Sequence, residues 1–285
     1  MPSFLGSWDL TVHRPSGSFP SWFEVTEEEG ALSGRYVGIW GSSRPIVSFL
    51  ADGDSLTFAL PNQYEGIDTD LVFTLTFKGD SCSGTAKIWD EEPYPVIGSR
   101  APAMERSGTP SEDETIDLLA EGTDGFSVRW TDMDDNWSMV DGVLVNSAKG
   151  TDIITKATFS DFRLEAEYQY PENSNSGIYL RGRYEFQILD DFAKEPSVGS
   201  SAAIYGFFAP ASNAIKPHSE WNRAIIELVG RSVRVELNGE VVLEEVIPGI
   251  TGGALDSNEG EPGPILLQGD HGPVSFRKLL LTPLS

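Results

Sequence analysis

The chain has 285 residues, with 44 acidic against 20 basic, giving a formal net charge of −24. That balance excludes nucleic acid, whose phosphates need a basic face, and equally an anionic membrane surface as partner. No apolar run approaches the ~18 residues of a membrane-spanning helix. The opening MPSFLGSWDL lacks the basic and apolar regions of a secretory signal, so a soluble protein of the cytoplasm or periplasm is expected. Cys82 is the single cysteine and the three His are scattered, which excludes an internal disulfide and a cysteine-rich or His-cluster zinc site.

In chain order, short runs rich in Val, Ile, Phe, Tyr and Trp recur between Gly, Pro, Asp and Asn breaks, and no sustained helical stripe appears. The pattern predicts an all-β protein. In residues 1–107 the predicted strands are Trp8–His13, Trp22–Thr26, Leu32–Trp40, Pro45–Leu50, Ser55–Leu60, Leu71–Lys78, Ser81–Trp89 and Val96–Arg100. That spacing suits a small up-and-down barrel, with a small sandwich as the alternative. Gly6-x-Trp8 resembles the strand start of lipocalin-like barrels. Trp8, Trp22, Trp40 and Trp89 are expected in the core. The polar, acidic stretch Ser107–Glu114 reads as a linker.

Residues 115–285 are again β-rich. Strands are predicted at Ser127–Trp130, Trp137–Val140, Val143–Asn146, Asp152–Thr155, Phe162–Tyr170, Gly177–Leu180, Tyr184–Leu189, Trp221–Val229, Ser232–Leu237, Glu240–Val246, Ile265–Gln268 and Val274–Leu281. This number of strands fits a two-sheet jelly-roll sandwich. The segments Asp190–Ser219 and Gly249–Gly263 read as long loops. Within NSGIYLRGRYEFQILDD, strand alternation sets Tyr184, Phe186 and Ile188 on an apolar face and Arg183, Glu185, Gln187 and Leu189 on the other. Glu and Gln on the second face of a central strand are costly unless that face lines a polar groove, such as the concave side of a jelly roll.

Three stretches, NSGIYLRGRYEFQILDD, SEWNRAIIELVGRSVRVELNG and GPILLQGDHGPVSFRKLLL, resemble the 3-keto-disaccharide hydrolase family over the region from near Thr123 to Ser285. The resemblance implies a concanavalin-like or laminarinase-like sandwich. It implies an enzyme acting on glycosides or disaccharides already oxidised to a ketone at C3. Such a ketone acidifies the C2 proton, so a base can form an enolate and the C1 substituent can leave by elimination. Water addition then gives net hydrolysis; release of the unsaturated sugar gives net lyase action. The chemistry needs a base, a stabiliser for the C3 oxyanion and a proton source for the leaving oxygen.

On this sequence Glu185 is the candidate base, His271 in Gln268-Gly269-Asp270-His271-Gly272 the acid–base partner, and Arg181 the oxyanion stabiliser. Gln187, Asp190, Tyr205, Trp221 and Gln268 are candidates for binding the sugar. Glu185, Asp190, Asp270 and His271 are oxygen-rich enough to be considered for a divalent ion such as calcium or manganese, which would polarise the C3 oxygen. Two other functions compete. Glu185-x-Gln187-x-x-Asp190 has the spacing of the laminarinase-like E-x-D-x-x-E strand, but Gln replaces the middle acid and the shorter Asp the last, which disfavours a two-carboxylate hydrolase. A lectin-like module that binds sugar without cleaving it also fits the fold.

Overall fold

A computed structural model describes residues 3–89, 92–106 and 111–285 and is built almost wholly of antiparallel β-structure. Among the described residues no helix is long and apolar enough to cross a membrane. The chain packs as two units. Unit 1 comprises the residues up to Ala103 together with Pro248–Gly260, and unit 2 comprises Met104–Ile247 with Glu261–Ser285.

Unit 1 is a meander of β1 (Gly6–Val12), β2 (Phe19–Glu28), β3 (Ala31–Val37), β4 (Arg44–Pro45), β5 (Ser48–Asp52), β6 (Ser55–Leu60), β7 (Leu71–Lys78), β8 (Ser81–Lys87) and β9 (Tyr94–Arg100). Alternation decides which side faces in: Leu71, Phe73, Leu75 and Phe77 are buried, while Thr74, Thr76 and Lys78 are exposed. β9 pairs back onto β1. β4 pairs with β3, and the chain then crosses to β6 through Ile46 N to Gly34 O (2.9 Å) and Val47 N to Ala59 O (2.9 Å). Residues 44–52 therefore act as one stave and close the sheet, which selects the barrel of the two expected architectures. Its interior is filled by side chains such as Trp8, Phe23, Tyr36, Phe58 and Phe73, with the last two rings stacked at 4.9 Å.

Two expectations need correction in this unit. Trp40 is 45% exposed rather than core. The stretch read as a loop of the second domain instead packs on the barrel's outer side. A Cβ on Gly249 would stand 2.3 Å from the Trp22 indole, so only glycine lets this backbone cover that ring. Gly253 N donates to Ile39 O (2.9 Å), and Ser257 and Thr11 share a hydroxyl bond of 2.9 Å. The unit also buries one ion pair: Arg44 donates to both carboxylate oxygens of Glu65, at 2.8 and 3.2 Å.

Unit 2 is a two-sheet sandwich. The larger sheet runs β12 (Trp137–Val140), β13 (Val143–Asn146), β22 (Val274–Leu284), β15 (Asp161–Gln169), β18 (Asn222–Val229), β19 (Ser232–Leu237), β20 (Glu240–Val246), with β10 (Ile116–Asp117) also on β22. The smaller runs β11 (Phe126–Val128), β14 (Ile153–Thr155), β21 (Leu266–Leu267), β16 (Asn175–Leu180), β17 (Tyr184–Leu189). Phe162, Leu164, Ala166 and Tyr168 of β15 meet Tyr184, Phe186 and Ile188 of β17 in the core; Tyr168 and Phe186 pack edge-to-face at 6.2 Å. Part of the expected linker, 107–110, lies outside the described residues. The remainder is tied down: Ser111 and Ser285 exchange backbone bonds of 2.9 and 3.0 Å, and Asp113 N donates to Pro283 O.

Candidate active site

With Tyr184, Phe186 and Ile188 committed to the core, Glu185 and Gln187 point to the other face of the smaller sheet. That face is not an open groove at this point: Glu185 and Gln187 are each only 4% exposed. The chain after β17 turns back and pairs along the outer edge of that strand, with Tyr205 N donating to Glu185 O (3.0 Å), Gln187 N to Ala203 O (3.1 Å) and Ala202 N to Gln187 O (2.9 Å).

The β16–β17 register sets Tyr179 opposite Glu185 and Gly177 opposite Gln187. The Tyr179 hydroxyl donates to Glu185 Oε2 at 2.9 Å. A Cβ on Gly177 would stand 2.7 Å from Glu185 Oε1, so the carboxyl lies over the space that this glycine leaves open. β21 is the next strand over, and Gln268 N donates to Gly177 O (2.9 Å). Gly177 is thus flanked by Gln268 on one side and Gln187 on the other. Gln268 is 7% exposed and its Oε1 has no partner among the described residues.

Immediately before β14, Asp152 (1% exposed) accepts from Gly269 N at 2.9 Å and Asp270 N at 3.3 Å through Oδ1, and from Arg129 Nη1 at 3.1 Å through Oδ2. The Asp270 carboxylate hydrogen-bonds His271 Nδ1. These groups perturb one another. Burial, and then the charges of Asp270 and Asp152, push Glu185 up to about 8 against the opposing hydrogen bond from Tyr179. Burial and the charge of Asp270 also raise Asp152, despite the Gly269 N–H and Arg129. The bond to Asp270 raises His271 above the ordinary imidazole range. A buried, strongly basic carboxylate beside a carboxylate–imidazole pair can take a proton and give one at neighbouring points.

Residues 116–282 match the family model described as the 3-keto-alpha-glucoside-1,2-lyase-like domain. The chain belongs to this 3-keto-disaccharide hydrolase family. It is therefore a carbohydrate-active protein. Among solved structures it resembles a candidate glycosyl hydrolase from Parabacteroides distasonis at 27% identity and a TM-score of 0.51, covering 65% of this chain and 95% of that one. A second such protein from the same organism, at 20% identity and a TM-score of 0.50, covers 60% of this chain and 94% of its own and shares the fold. No curated protein matches the chain.

In this member of the 3-keto-disaccharide hydrolase family, Glu185, Gln187 and Gln268 are brought to one region through Gly177, the charge of Asp270 acts on Glu185, His271 is bonded to Asp270, and Tyr205 adjoins through its backbone bond to Glu185. Arg181 is not brought to Glu185. It sits in the β16–β17 turn with φ 52°, a left-handed backbone that costs a non-glycine residue about 1 kcal/mol. Its guanidinium donates to Gly230 O (2.5 Å) and lies over the ring of Tyr184, on the core side of the hairpin. Trp221 is also elsewhere: it stands on the outer face of the larger sheet with the Arg277 guanidinium 4.5 Å above its ring. Asp190 lies beyond the end of β17, accepting from Asn173 N (2.8 Å), with His218 Nδ1 3.9 Å away. Asp190 therefore does not join Glu185, Asp270 and His271, and among the described residues no group of three or more His, Cys, Asp and Glu is arranged to hold a metal ion.

Sequence reasoning missed Tyr179, Asp152 and Arg129. Tyr179 was within reach of it, because a three-residue turn between Leu180 and Tyr184 sets it across from Glu185. Asp152 and Arg129 join the site only through the pairing β11–β14–β21–β16, which no local pattern announces.

Proposed function

We propose that unit 2 cleaves glycosides bearing a ketone at C3 of the sugar. The Glu185 carboxylate removes the C2 proton, and the electron pair of the broken C–H bond enters the C2–C3 enolate. When the C3 carbonyl reforms, a C1–C2 double bond appears, the C1–O bond breaks, and the Asp270–His271 imidazolium delivers a proton to the departing oxygen. The product is a 2-hydroxy-3-keto-glycal, or a 3-keto-sugar once water has added. The carboxamides of Gln187 and Gln268 donate to sugar oxygens, the developing C3 oxyanion among them, and the unpartnered Gln268 Oε1 accepts from a hydroxyl. No step is assigned to Arg181 or to a metal ion.

The observation that carries this reading is the buried Glu185, tied to Tyr179 and pushed up to about 8 by burial and by the charges of Asp270 and Asp152, with His271 bonded to Asp270. An α-proton is weakly acidic, so a carboxylate made more basic than usual is the useful one. Family membership supports the same substrate class.

The experiment is turnover of a 3-keto-glucoside, followed by NMR of the products in D2O. The expected result is cleavage with loss of the C2 proton, deuterium entering C2 where water adds to the glycal, and loss of both in Glu185→Gln. Unchanged rates in Glu185→Gln and His271→Ala overturn the base and acid roles of these two residues. Tight binding of sugar without cleavage favours a lectin-like module. Cleavage of an unoxidised β-glucan favours an ordinary glycoside hydrolase.

A further inference from the structure

The Gly269–Gly272 turn, which carries Asp270 and His271, has no ladder of its own, yet its backbone is tied from both sheets. Asp152, leading into β14, takes the consecutive N–H groups of Gly269 and Asp270. Asn146, at the end of β13 and 1% exposed, donates its amide to Gly269 O (3.2 Å) and Gly272 O (3.1 Å). Gly150 N also donates to Gly269 O at 2.8 Å. Gly269 itself is pressed so close that a Cβ would stand 2.3 Å from Thr151 O and 2.8 Å from the Trp137 Nε1. Two N–H groups and two carbonyls of one short turn are thus fixed by two buried side chains.

A backbone tie alone does not require a charge. Asn could accept the same two N–H groups, and burying a carboxylate is expensive unless it is paired. Asp152 is paired, with Arg129 at 3.1 Å, and its charge acts on Glu185, Tyr179 and His271, raising the proton affinity of each.

We propose that Asp152 is a positioning residue: with Asn146 it holds the Asp270–His271 turn rigidly beside Glu185, so that the acid and the base of the reaction keep a fixed separation. This rests on the elimination reading above. It predicts that Asp152 acts on the chemical step rather than on sugar affinity, because it touches the turn and not the sugar.

The test is made on the full chain with Asp152→Ala, Asp152→Asn and Asn146→Ala. Amide hydrogen exchange of Gly269 and Asp270 is followed by NMR, with β19 amides as the internal control. In Asp152→Ala those two amides exchange at least ~10-fold faster while β19 keeps its protection, as expected for loss of one net hydrogen bond each. On a 3-keto-glucoside, kcat falls about 100-fold with KM within about threefold, the scale of a small misplacement of reacting groups. Asp152→Asn, which keeps an acceptor, recovers turn protection and at least ~10-fold of the lost kcat. Asn146→Ala lowers kcat without touching any charge. Should Asp152→Ala fail to fold, the Asn and Asn146→Ala variants decide by the same readouts. Wild-type exchange rates at Gly269 and Asp270 in Asp152→Ala, wild-type kcat in Asn146→Ala, or a rise in KM with kcat unchanged, overturn the proposal. Faster exchange at the turn in a chain that cleaves no 3-keto-glucoside leaves the clamp standing and removes the elimination reading instead.

Discussion

Glu65 in the barrel and Glu185 in the sandwich are the same residue type at similar burial, 7% and 4% exposed, and they are treated in opposite ways. Burial pushes the Glu65 carboxyl up, but the hydrogen bonds from Arg44 and from the Gln63 N–H, with the Arg44 charge, outweigh it and hold the carboxyl below its ordinary range. Glu185 receives a neutral tyrosine hydroxyl and faces two further carboxylates, so burial prevails. One environment fixes a charge and the other makes it costly. The second is the environment the proposed chemistry needs, while the first holds a buried charge pair in place.

The comparison breaks most directly at Glu185. In Glu185→Gln kcat should fall about 10³-fold, since a positioned base contributes on that scale. In the wild type kcat/KM should climb as pH rises through about 8, because only the ionised carboxylate accepts a proton; the variant's residual rate should lack that limb. Stability should move the other way. A folded-state value near 8 against 4.5 unfolded means that the stabilising proton is present at low pH and lost as pH rises through 8. Urea melts should show the wild type losing roughly 2–3 kcal/mol between pH 6 and pH 9 that Glu185→Gln keeps.

Glu65→Ala should leave Arg44 buried and unpaired, lowering the stability of unit 1 by about 3–5 kcal/mol in denaturant unfolding at neutral pH. Here the sign is reversed. The contribution is present above the ordinary carboxylate range and vanishes as acid protonates Glu65 in the folded state, so wild type and variant should converge at low pH. Equal pH profiles for the two glutamates would erase the contrast.

Gly177→Ala sharpens it. The added methyl meets Glu185 Oε1 at 2.7 Å and must displace the carboxyl, so kcat should fall about 10-fold while strand pairing survives. The smallest effect belongs to Trp221→Ala: with its ring under Arg277 on the far face of the larger sheet, kcat/KM should stay within about twofold.

Much of this arrangement was legible before the structure. β17, β19 and β20 fall on their predicted bounds, because alternation and the Asn-Gly and Gly-Arg turns punctuate them sharply. The eight staves of the barrel were legible for the same reason. In the candidate site, what one strand or one turn carries was legible: Glu185 and Gln187 share the face opposite Tyr184, Phe186 and Ile188, and Gln268-Gly269-Asp270-His271 follows β21. Arg181 was misassigned because adjacency to Glu185 along the chain says nothing about the side chosen by a left-handed turn. Trp221 was misassigned although alternation along β18 already opposes it to the inward Asn222 and Ala224. Asp152 and Arg129 needed the order of strands across the sheet, which depends on long-range pairing and leaves no periodic trace.

The segment Pro248–Gly260 has a consequence for how the chain can be made and cut. Unit 1 is assembled from two stretches of sequence, and its last piece lies more than halfway through the code for unit 2. During synthesis the barrel strands emerge first, but the Gly249 backbone that packs on the Trp22 indole is translated only much later. A fragment ending at Ala103 would expose that ring to solvent and to its own copies. A separable barrel calls for a circular rearrangement that grafts 248–260 behind Ala103, whereas simple truncation yields a sticky intermediate.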